Sequence, residues 1–386
     1  MIRACRFLVL AWLLLLPQGG MGAADAPPEA ARFAADPFGH SLRLPARVSS
    51  VGTPGISMAS LVVALSAGGK LKAVTPEVRG NHWLKRILPA TSSMATPFTR
   101  PAGVDLEALL AVRPQLVTLW RGNDASAARI EAAGIPVFTL RYATPDEFKS
   151  AVRLLGKALG TDEARRAEAF ISYYEDNLRR VARGLRDLMD GQRPRVYYAS
   201  ISPLLTAGRQ SMVDAWIRVS GGINVAVPHL AGSTAVHLEY VLAWNHDIIV
   251  AINRRTRDAI LADPHWQGIR AVRDKRVFVN PNGVNAWCTR AAESALQVLW
   301  AARVLHPSRF ADIDLATETR RFYRLFYDYE LSDAETANIL AALPPPSQQD
   351  RCPPGNNVEG EAAPCPESSL PLDGLGRLAS PHGYAR

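Results

Sequence analysis

Residues 164–188 read ARRAEAFISYYEDNLRRVARGLRDL, and small or apolar side chains recur in this stretch at alternating spacings of three and four. The recurring positions are Ala164, Ala167, Ile171, Tyr174, Leu178, Val181, Leu185 and Leu188. This period predicts one amphipathic helix over residues 162–190, roughly 37 Å in length. A local coiled-coil seam is the alternative, but the heptads stop at Asp190-Gly191 and a strand follows at once.

Short buried strands are predicted on both sides of this helix, at 134–140 and at 195–199. The two flanking regions also share one phrase, a short helix that leads into a buried strand. The copies are 105–120 and 237–252, and Leu, Glu, Leu and Ala recur at matching places with a constant offset of 132 residues. We interpret the phrase as a duplicated module, although a chance similarity between two helix-then-strand phrases is the alternative.

The remaining periodicities alternate between strand and helix in both regions. In the first they predict strands at 47–51 and 71–75 and helices at 57–66 and 125–133, and in the second helices at 212–220, 256–261 and 291–305 and a strand at 276–279. This order predicts an α/β fold, with two small Rossmann-like lobes of mostly parallel sheets joined by one long rigid helix. Ligands of such sheets bind beyond the carboxyl ends of the strands, so a cleft between the lobes is expected.

The ends of the chain differ from its middle. Arg3 and Arg6, an apolar run at 7–16 and a small-residue stretch ending at Ala24 predict a cleaved secretory signal peptide over 1–24, and hence a periplasmic protein. Residues 344–386 are rich in Pro, Gly, Ser and Glu and predict a disordered tail. Its Cys352 and Cys365 would form a disulfide or remain two thiols, and Cys288 would be left alone.

The formal net charge of the 386 residues is +8. A basic exported protein suits an anionic ligand, although a merely basic, soluble surface explains the charge equally well. The signal peptide and the absence of a Lys/Arg run argue against a nucleic-acid partner.

Several local motifs occur together in a fixed order. They are Arg47-Val48 with 64–68, the phrase 106–110 leading to 113–117, the phrase 221–225, Asn282-Gly283 with Trp287, Glu293, and His306-Pro307. In this order the chain resembles, over roughly 47–310, the class III periplasmic substrate-binding proteins of ABC importers, which carry iron–siderophore complexes, haem and cobalamin. The resemblance implies a first lobe at 47–142, the linking helix, a second lobe at 194–310, and added C-terminal helices at 311–343.

The resemblance also implies a function. The protein would be a monomer without a cofactor or resident metal that captures a metal chelate between the lobes and delivers it to an inner-membrane permease. Members of the family carry a glutamate on the first helix of each lobe for docking to the permease. The corresponding positions here are assigned to Ser60 and Ala215, with Asp214 beside the second.

Candidate ligand-binding residues follow strand ends or lie in loop-like contexts. Guanidinium groups bind anions and stack on flat rings, and indoles can form an aromatic wall for a chelate. The candidates are His82, Trp83, Trp120, Arg121, Tyr198, Arg209, Asn253, Arg254, Trp287 and Arg290. For each there is a plainer alternative: solvated arginine, tryptophan packed in a core, or a hydrogen-bonded structural histidine.

Two other classes of function compete with transport. A periplasmic hydrolase would use Ser57 or Ser200 as its nucleophile, but the sequence contains no Gly-x-Ser-x-Gly, HExxH or P-loop motif. A protein that binds a free metal ion would use His82, but no pair of histidines has HxH or HxxxH spacing. The sequence therefore favours a binding protein over an enzyme.

Overall fold

The computed structural model describes residues 31–99 and 103–347 of the chain. The predicted signal peptide, nearly all of the predicted tail, and Cys352 with Cys365 lie outside these residues. The first half contains strands β1 Arg32–Ala35, β2 Ser41–Leu44, β3 Val51–Gly52, β4 Leu71–Ala73, β5 Phe98–Thr99, β6 Gly103–Val104, β7 Leu116–Trp120 and β8 Val137–Leu140, with helices α1 Ile56–Ala64, α2 Pro76–Gly80, α3 His82–Ile87, α4 Leu106–Val112 and α5 Asp124–Ala132.

The first half is built on a parallel sheet with the strand order β4-β3-β7-β8. Strand β3 is shorter than the predicted 47–51, because its neighbours begin only opposite Val51, at Leu71 and at Leu116. Residues 47–50 therefore have no paired strand on either side. Two antiparallel hairpins that the sequence analysis did not predict, β1–β2 and β5–β6, accompany the sheet.

The second half repeats this plan. It contains strands β9 Arg195–Ala199, β10 Leu205–Ala207, β11 Ile223–Asn224, β12 Ser233–Ala235, β13 Ile248–Ala251 and β14 Val277–Val279, with helices α8 Met212–Val219, α9 Leu238–Trp244, α10 Arg254–Ala262, α11 Arg270–Arg273 and α12 Ser294–Leu305. Its parallel sheet has the order β11-β9-β13-β14. If the four strands of each sheet are numbered by their order along the chain, both sheets have the spatial order 2-1-3-4. The module strands β7 and β13 are the third strand of their sheets. The common order supports the duplication.

The halves are connected by a helical hairpin rather than by a single helix. Helix α6, Pro145–Leu159, was not predicted, and it precedes the long helix α7, Thr161–Gly184. Helix α7 ends six residues before the predicted position 190. Leu185 and Leu188, which continue the apolar period, lie beyond the last residue of the helix. They are apolar because both pack near Gly221 of the second half.

Close packing holds the hairpin together, and a partly buried ion pair joins it to the first half. A Cβ atom built on Gly156 of α6 would lie 2.7 Å from the Cβ of Ala167 and 2.8 Å from the carbonyl oxygen of Glu163. Lys70 pairs with Glu163 at 2.7 Å and donates a hydrogen bond to the carbonyl oxygen of Leu159, 3.0 Å away. The first half is thus fixed to the start of α7.

Two C-terminal helices, α13 Leu315–Tyr327 and α14 Asp333–Leu340, lie within the predicted range 311–343. The main apolar core runs through both halves, α6, α7, α12 and α13. The segment after α14 contacts both halves: the indole of Trp83 donates to the carbonyl oxygen of Leu343 at 3.1 Å, and Arg254 donates to that of Ala341 at 3.4 Å.

Substitution of Gly156 by alanine tests the helical hairpin. Alanine normally favours a helix interior over glycine, but here its Cβ collides with α7. We expect the free energy of unfolding to fall by about 1–3 kcal/mol, the usual effect of overpacking, in denaturant titrations followed by circular dichroism. Gly69→Ala is the matched control, since a Cβ there meets nothing within 4 Å. A stabilised Gly156→Ala variant would show that α6 and α7 are not in close contact.

Candidate functional site

A cavity lies at the carboxyl edge of the first sheet. It has a volume of about 340 Å³ and is lined by Pro54, Gly55, Ile56, Ser57, Met58, Thr75, Phe98, Thr99, Gly103, Val104, Leu119, Trp120, Asn123, Ser126 and Ile130. Strands β3 and β7 are neighbours there, while the intervening strand β4 lies on the other side of β3. Such a switch in strand order is where open α/β sheets bind ligands.

The amino-terminal end of α1 forms one wall of this cavity. Its N-cap residue Gly55 supplies no side-chain cap, and no acidic residue lies in the first turn. The first helical hydrogen bond runs from the amide of Ala59 to the carbonyl of Gly55. The amides of the first turn are therefore left for another acceptor, at the positive end of a buried nine-residue helix.

The equivalent helix of the second half, α8, is capped within the chain. The hydroxyl oxygen of Ser211 accepts a hydrogen bond from the amide of Asp214 at 3.1 Å. The buried carboxylate of Asp214 lies in the first turn and pairs with Arg218 at 3.1 Å. The duplicated halves thus differ at the corresponding helix end: the first lacks a cap and an acidic group, and the second supplies both.

The rim of the cavity combines an indole with a guanidinium group from the other half. The guanidinium carbon of Arg290 lies 5.3 Å from the centre of the Trp120 ring, within cation–π range. The hydroxyl of Tyr142 donates to the carbonyl oxygen of Arg290 at 2.7 Å, and its ring lies 5.0 Å from that of Trp120. Burial raises the pKa of Tyr142 well above its usual value, which keeps this donor protonated.

A second contact from the other half reaches the cavity wall. The side-chain amide of Asn285 donates to the hydroxyl oxygen of Ser57 at 2.9 Å. Ser57 was considered above as a nucleophile, but this partner is an amide rather than a histidine or an aspartate. The contact joins the halves next to the uncapped end of α1.

The predicted site residues fall into three groups, of which the first lies at or beside the cavity. Trp120 and Arg290 meet at the rim, and Arg121 follows β7 with its guanidinium 4.7 Å from the ring of Phe38. Of the predicted residues, only Trp120 is part of the cavity lining.

The second group is packed in the core. Trp83 and Tyr198 are 4% exposed and Trp287 is 0% exposed. The hydroxyl of Tyr198 lies 3.6 Å from the buried thiol of Cys288. Burial raises the pKa of that thiol to about 12, so it is not a reactive thiolate. The plainer alternative of a packing role fits these three aromatic residues.

The third group is placed elsewhere on the molecule. His82 is an exposed residue at the start of α3. Arg209 is exposed and donates to the carbonyl oxygen of Val227, while Asn253 caps α10 by accepting from the amide of Thr256 at 2.8 Å. Arg254 is exposed and donates to Ala341, as described above. Arg121 and Arg254 thus contact different partners, Phe38 and Ala341.

Most of the cavity lining is not among the residues predicted from sequence. Ser57 is predicted only as a possible nucleophile, and Thr75, Thr99, Asn123 and Ser126 are not predicted at all. One local signal was present: residues 52–57 read GTPGIS between a buried strand and a helix, with no acidic residue. A strand, a loop containing glycine and then a helix is the arrangement that presents backbone amides to an anion.

The assigned docking positions are not on the surface. Ser60 is 0% exposed and Ala215 is 2% exposed. The hydroxyl of Ser60 donates to the carbonyl oxygen of Ser57 at 2.7 Å and accepts from the amide of Ala292 at 3.2 Å. A glutamate at either position would be enclosed by the protein, so docking through these two positions is excluded.

Within the described ranges, no group of three or more His, Cys, Asp or Glu side chains is placed to hold a metal ion. In the same residues, no helix has the length and apolar content needed to cross a membrane.

Comparison with known proteins places this geometry in a family. The family model described as "Periplasmic binding protein" matches residues 62–283, more than half of the chain. The molybdate-binding protein MolA of Haemophilus influenzae is 27% identical over 266 residues, which cover 63% of this chain and 75% of that protein. The vitamin B12-binding protein of Salmonella typhi is 24% identical over 167 residues, 42% of this chain and 60% of that protein.

Solved structures share the fold. A periplasmic solute-binding protein from Veillonella parvula superposes with a TM-score of 0.70 at 25% identity, covering 81% of this chain and 97% of that one. MolA of Haemophilus influenzae bound to molybdate superposes with a TM-score of 0.71 at 24% identity, covering 78% and 99%. The chain therefore belongs to the periplasmic binding protein family, and it is a class III solute-binding protein of an ABC importer rather than an enzyme.

Proposed function

We propose that this protein captures a compact anionic solute in the cavity at the end of α1 and delivers it to an inner-membrane permease. The observation that carries the proposal is the uncapped amino-terminal end of α1, which lines a cavity together with hydroxyl side chains. Backbone amides and the helix dipole at such an end favour negative charge. MolA, a relative at 27% identity, is named for binding the oxyanion molybdate.

The charges around the cavity agree with an anion. Among the described residues that line it there is no aspartate, glutamate, lysine or arginine. The guanidinium of Arg290, which is exposed, lies against the ring of the lining residue Trp120. A guanidinium group can leave an aromatic face to form two parallel hydrogen bonds with an oxyanion. We infer that Arg290 covers the solute from the second half while α1 holds it from the first.

A metal chelate, which the sequence favoured, is the second candidate. The indole face of Trp120 and the vitamin B12-binding relative support it. The size of the cavity does not, since about 340 Å³ is near the lower end of the range for small-molecule sites. An iron–siderophore, haem or corrinoid would have to lie largely outside the cavity, against the rim.

For docking to the permease we propose Glu107 and Glu239. They occupy matching places in the duplicated module, in the first turns of α4 and α9, and both are exposed. Neither has an ion-pair partner within the described part of the chain. Because α4 and α9 each lead into a strand of the parallel sheet, their first turns lie toward the carboxyl edges, where the cavity opens. Each half thus presents one carboxylate beside the ligand.

Titration with sodium molybdate, followed by tryptophan fluorescence and calorimetry, tests the proposed ligand. We expect saturable binding by the wild-type protein, and a 10- to 100-fold weaker affinity for Arg290→Ala. That loss corresponds to about 1.5–3 kcal/mol for a hydrogen bond to a charged group. Arg129→Ala, which removes an exposed arginine of α5, is the matched control and should bind like the wild type.

Ferric siderophore, haem and cobalamin are titrated in parallel. Tight binding of one of them without binding of molybdate would show that the solute is a metal chelate and not an oxyanion. Turnover of ester or phosphate substrates that is lost on Ser57→Ala would contradict a binding protein altogether.

Removal of both module carboxylates tests docking. We expect Glu107→Gln combined with Glu239→Gln to abolish solute uptake in cells that contain the importer, because the variant loses both charges that face the permease. Solute affinity in the purified variant should stay unchanged. Glu131→Gln on α5 is the control, an exposed carboxylate outside the module. Normal uptake by the double variant would rule out this docking pair.

A further inference from the structure

A carboxylate is buried where the two halves and the C-terminal helices meet. Glu293 immediately precedes α12 and is 0% exposed. Its two oxygens accept hydrogen bonds from the amides of Val284 at 2.9 Å and Asn285 at 2.8 Å. The phenol of Tyr323 on α13 donates to the same carboxylate at 2.5 Å. Three segments of the chain thus meet at one side chain: the start of α12, residues 283–285 and α13. The preceding residue, Ala292, donates from its amide to the hydroxyl oxygen of Ser60 on α1 at 3.2 Å.

No cation in the described part of the chain neutralises this group. None of the ion pairs in the described residues includes Glu293, and the titratable groups that face it are the phenols of Tyr323 and Tyr327. A buried charge without a counter-ion persists only when hydrogen bonds satisfy it. The carboxylate therefore requires the amides of residues 284 and 285 as donors, and the two amides require the carboxylate as their acceptor.

The backbone that Glu293 holds is pressed closely against it. A Cβ built on Gly283 would lie 1.8 Å from the hydroxyl oxygen of Tyr323 and 2.2 Å from Oε1 of Glu293. No side chain fits at this position, which accounts for the glycine. Residues 283–285 therefore have little freedom to move while the carboxylate is in place.

The same short segment carries contacts to the first half. The side-chain amide of Asn81 donates to the carbonyl oxygen of Val284 at 3.0 Å. The side-chain amide of Asn285 donates to Ser57, whose residue lines the cavity. Two hydrogen bonds, from the backbone amide of Asn285 to Glu293 and from its side chain to Ser57, thus connect Glu293 with the cavity wall.

We propose that Glu293 is a positioning residue for the solute cavity: by holding the backbone of residues 283–285, it keeps Asn285 on Ser57, and its ionisation tunes solute affinity. The proposal rests on the cavity being the solute site. The ionised carboxylate has an acceptor for both amides, whereas the protonated acid weakens one of them. Affinity should therefore be higher when Glu293 is ionised.

Burial places this ionisation near neutrality. It raises the pKa of Glu293 to about 7, above the usual value of a glutamate, against the opposing effect of the Tyr323 and amide hydrogen bonds. The carboxyl is therefore largely ionised at pH 8 and largely protonated at pH 6. We expect the affinity for solute to fall as the pH is lowered through this interval.

The test combines a measurement without ligand and one with molybdate. In hydrogen exchange of the full chain, the amides of residues 284 and 285 should be at least several-fold more protected at pH 8 than at pH 6 in the wild type. Glu293→Gln should give low protection at both values, because the amide oxygen accepts from one N–H while its NH₂ opposes the other. Unchanged protection in Glu293→Gln would overturn the proposal.

Molybdate affinity is measured over the same pH range. The wild type should weaken several-fold from pH 8 to pH 6, and both Glu293→Gln and Asn285→Ala should remove that dependence. Asn285→Ala leaves the buried carboxylate intact. This variant therefore tests the proposal even if Glu293→Gln disturbs the whole fold. Glu318→Gln is the matched control, a buried carboxylate of α13 that pairs with Arg180 instead, and should behave like the wild type.

The two arms separate the two proposals. If the wild type shows the exchange difference but binds no molybdate at any pH, the proposed solute is wrong and the positioning of residues 283–285 stands. If molybdate binds with the same pH dependence in Asn285→Ala as in the wild type, the route from Glu293 to the cavity is refuted.

Discussion

The buried carboxylate of Glu293 is the constraint on which the relation between the two halves depends. An ionised carboxylate withdrawn from water costs several kcal/mol unless its oxygens are satisfied. Here the amides of Val284 and Asn285 and the phenol of Tyr323 satisfy it. Because these partners come from a loop of the second half and from the C-terminal helix α13, the carboxylate fixes both at once. Ser60 of the first half joins the same region through the amide of Ala292.

This arrangement changes the role of the long helix. The sequence suggested that α7 alone would set the spacing of the lobes. In the structure, α6, α13 and the segment after α14 also connect the two halves. One apolar core runs through α6, α7 and α13. A cavity bounded by elements held in this way is formed before the solute arrives, so binding need not be accompanied by a large closure of one half onto the other. The duplicated halves then differ in function: α1 leaves its amino-terminal end open to the cavity, whereas Ser211 and Asp214 occupy that of α8.

Much of the fold could be predicted from sequence because its strands are short, buried and rich in β-branched residues. Strands β7 and β13 follow similar helices at a constant offset, and both were found where the module placed them. The end of α7 was missed because Leu185 and Leu188 continue the apolar period for a different reason, contact with Gly221 in a turn. The site was harder to predict. Trp83 and Trp287 are aromatic residues in loop-like sequence contexts, as ligand-binding tryptophans often are. Only their burial in the structure shows that they pack in the core. The useful groups, backbone amides of α1 and scattered hydroxyls, have no side-chain signature.

We propose that the solute lies at the uncapped end of α1, in a cavity that is formed before the solute binds. Anomalous X-ray diffraction from crystals grown with and without sodium molybdate can locate the solute and compare the two states. We expect a molybdenum peak beside the first-turn amides of α1 and Ser57, under Arg290 and Trp120, with the two halves in the same relation in both crystals. A peak elsewhere, no peak, or a large rotation of one half against the other would contradict it.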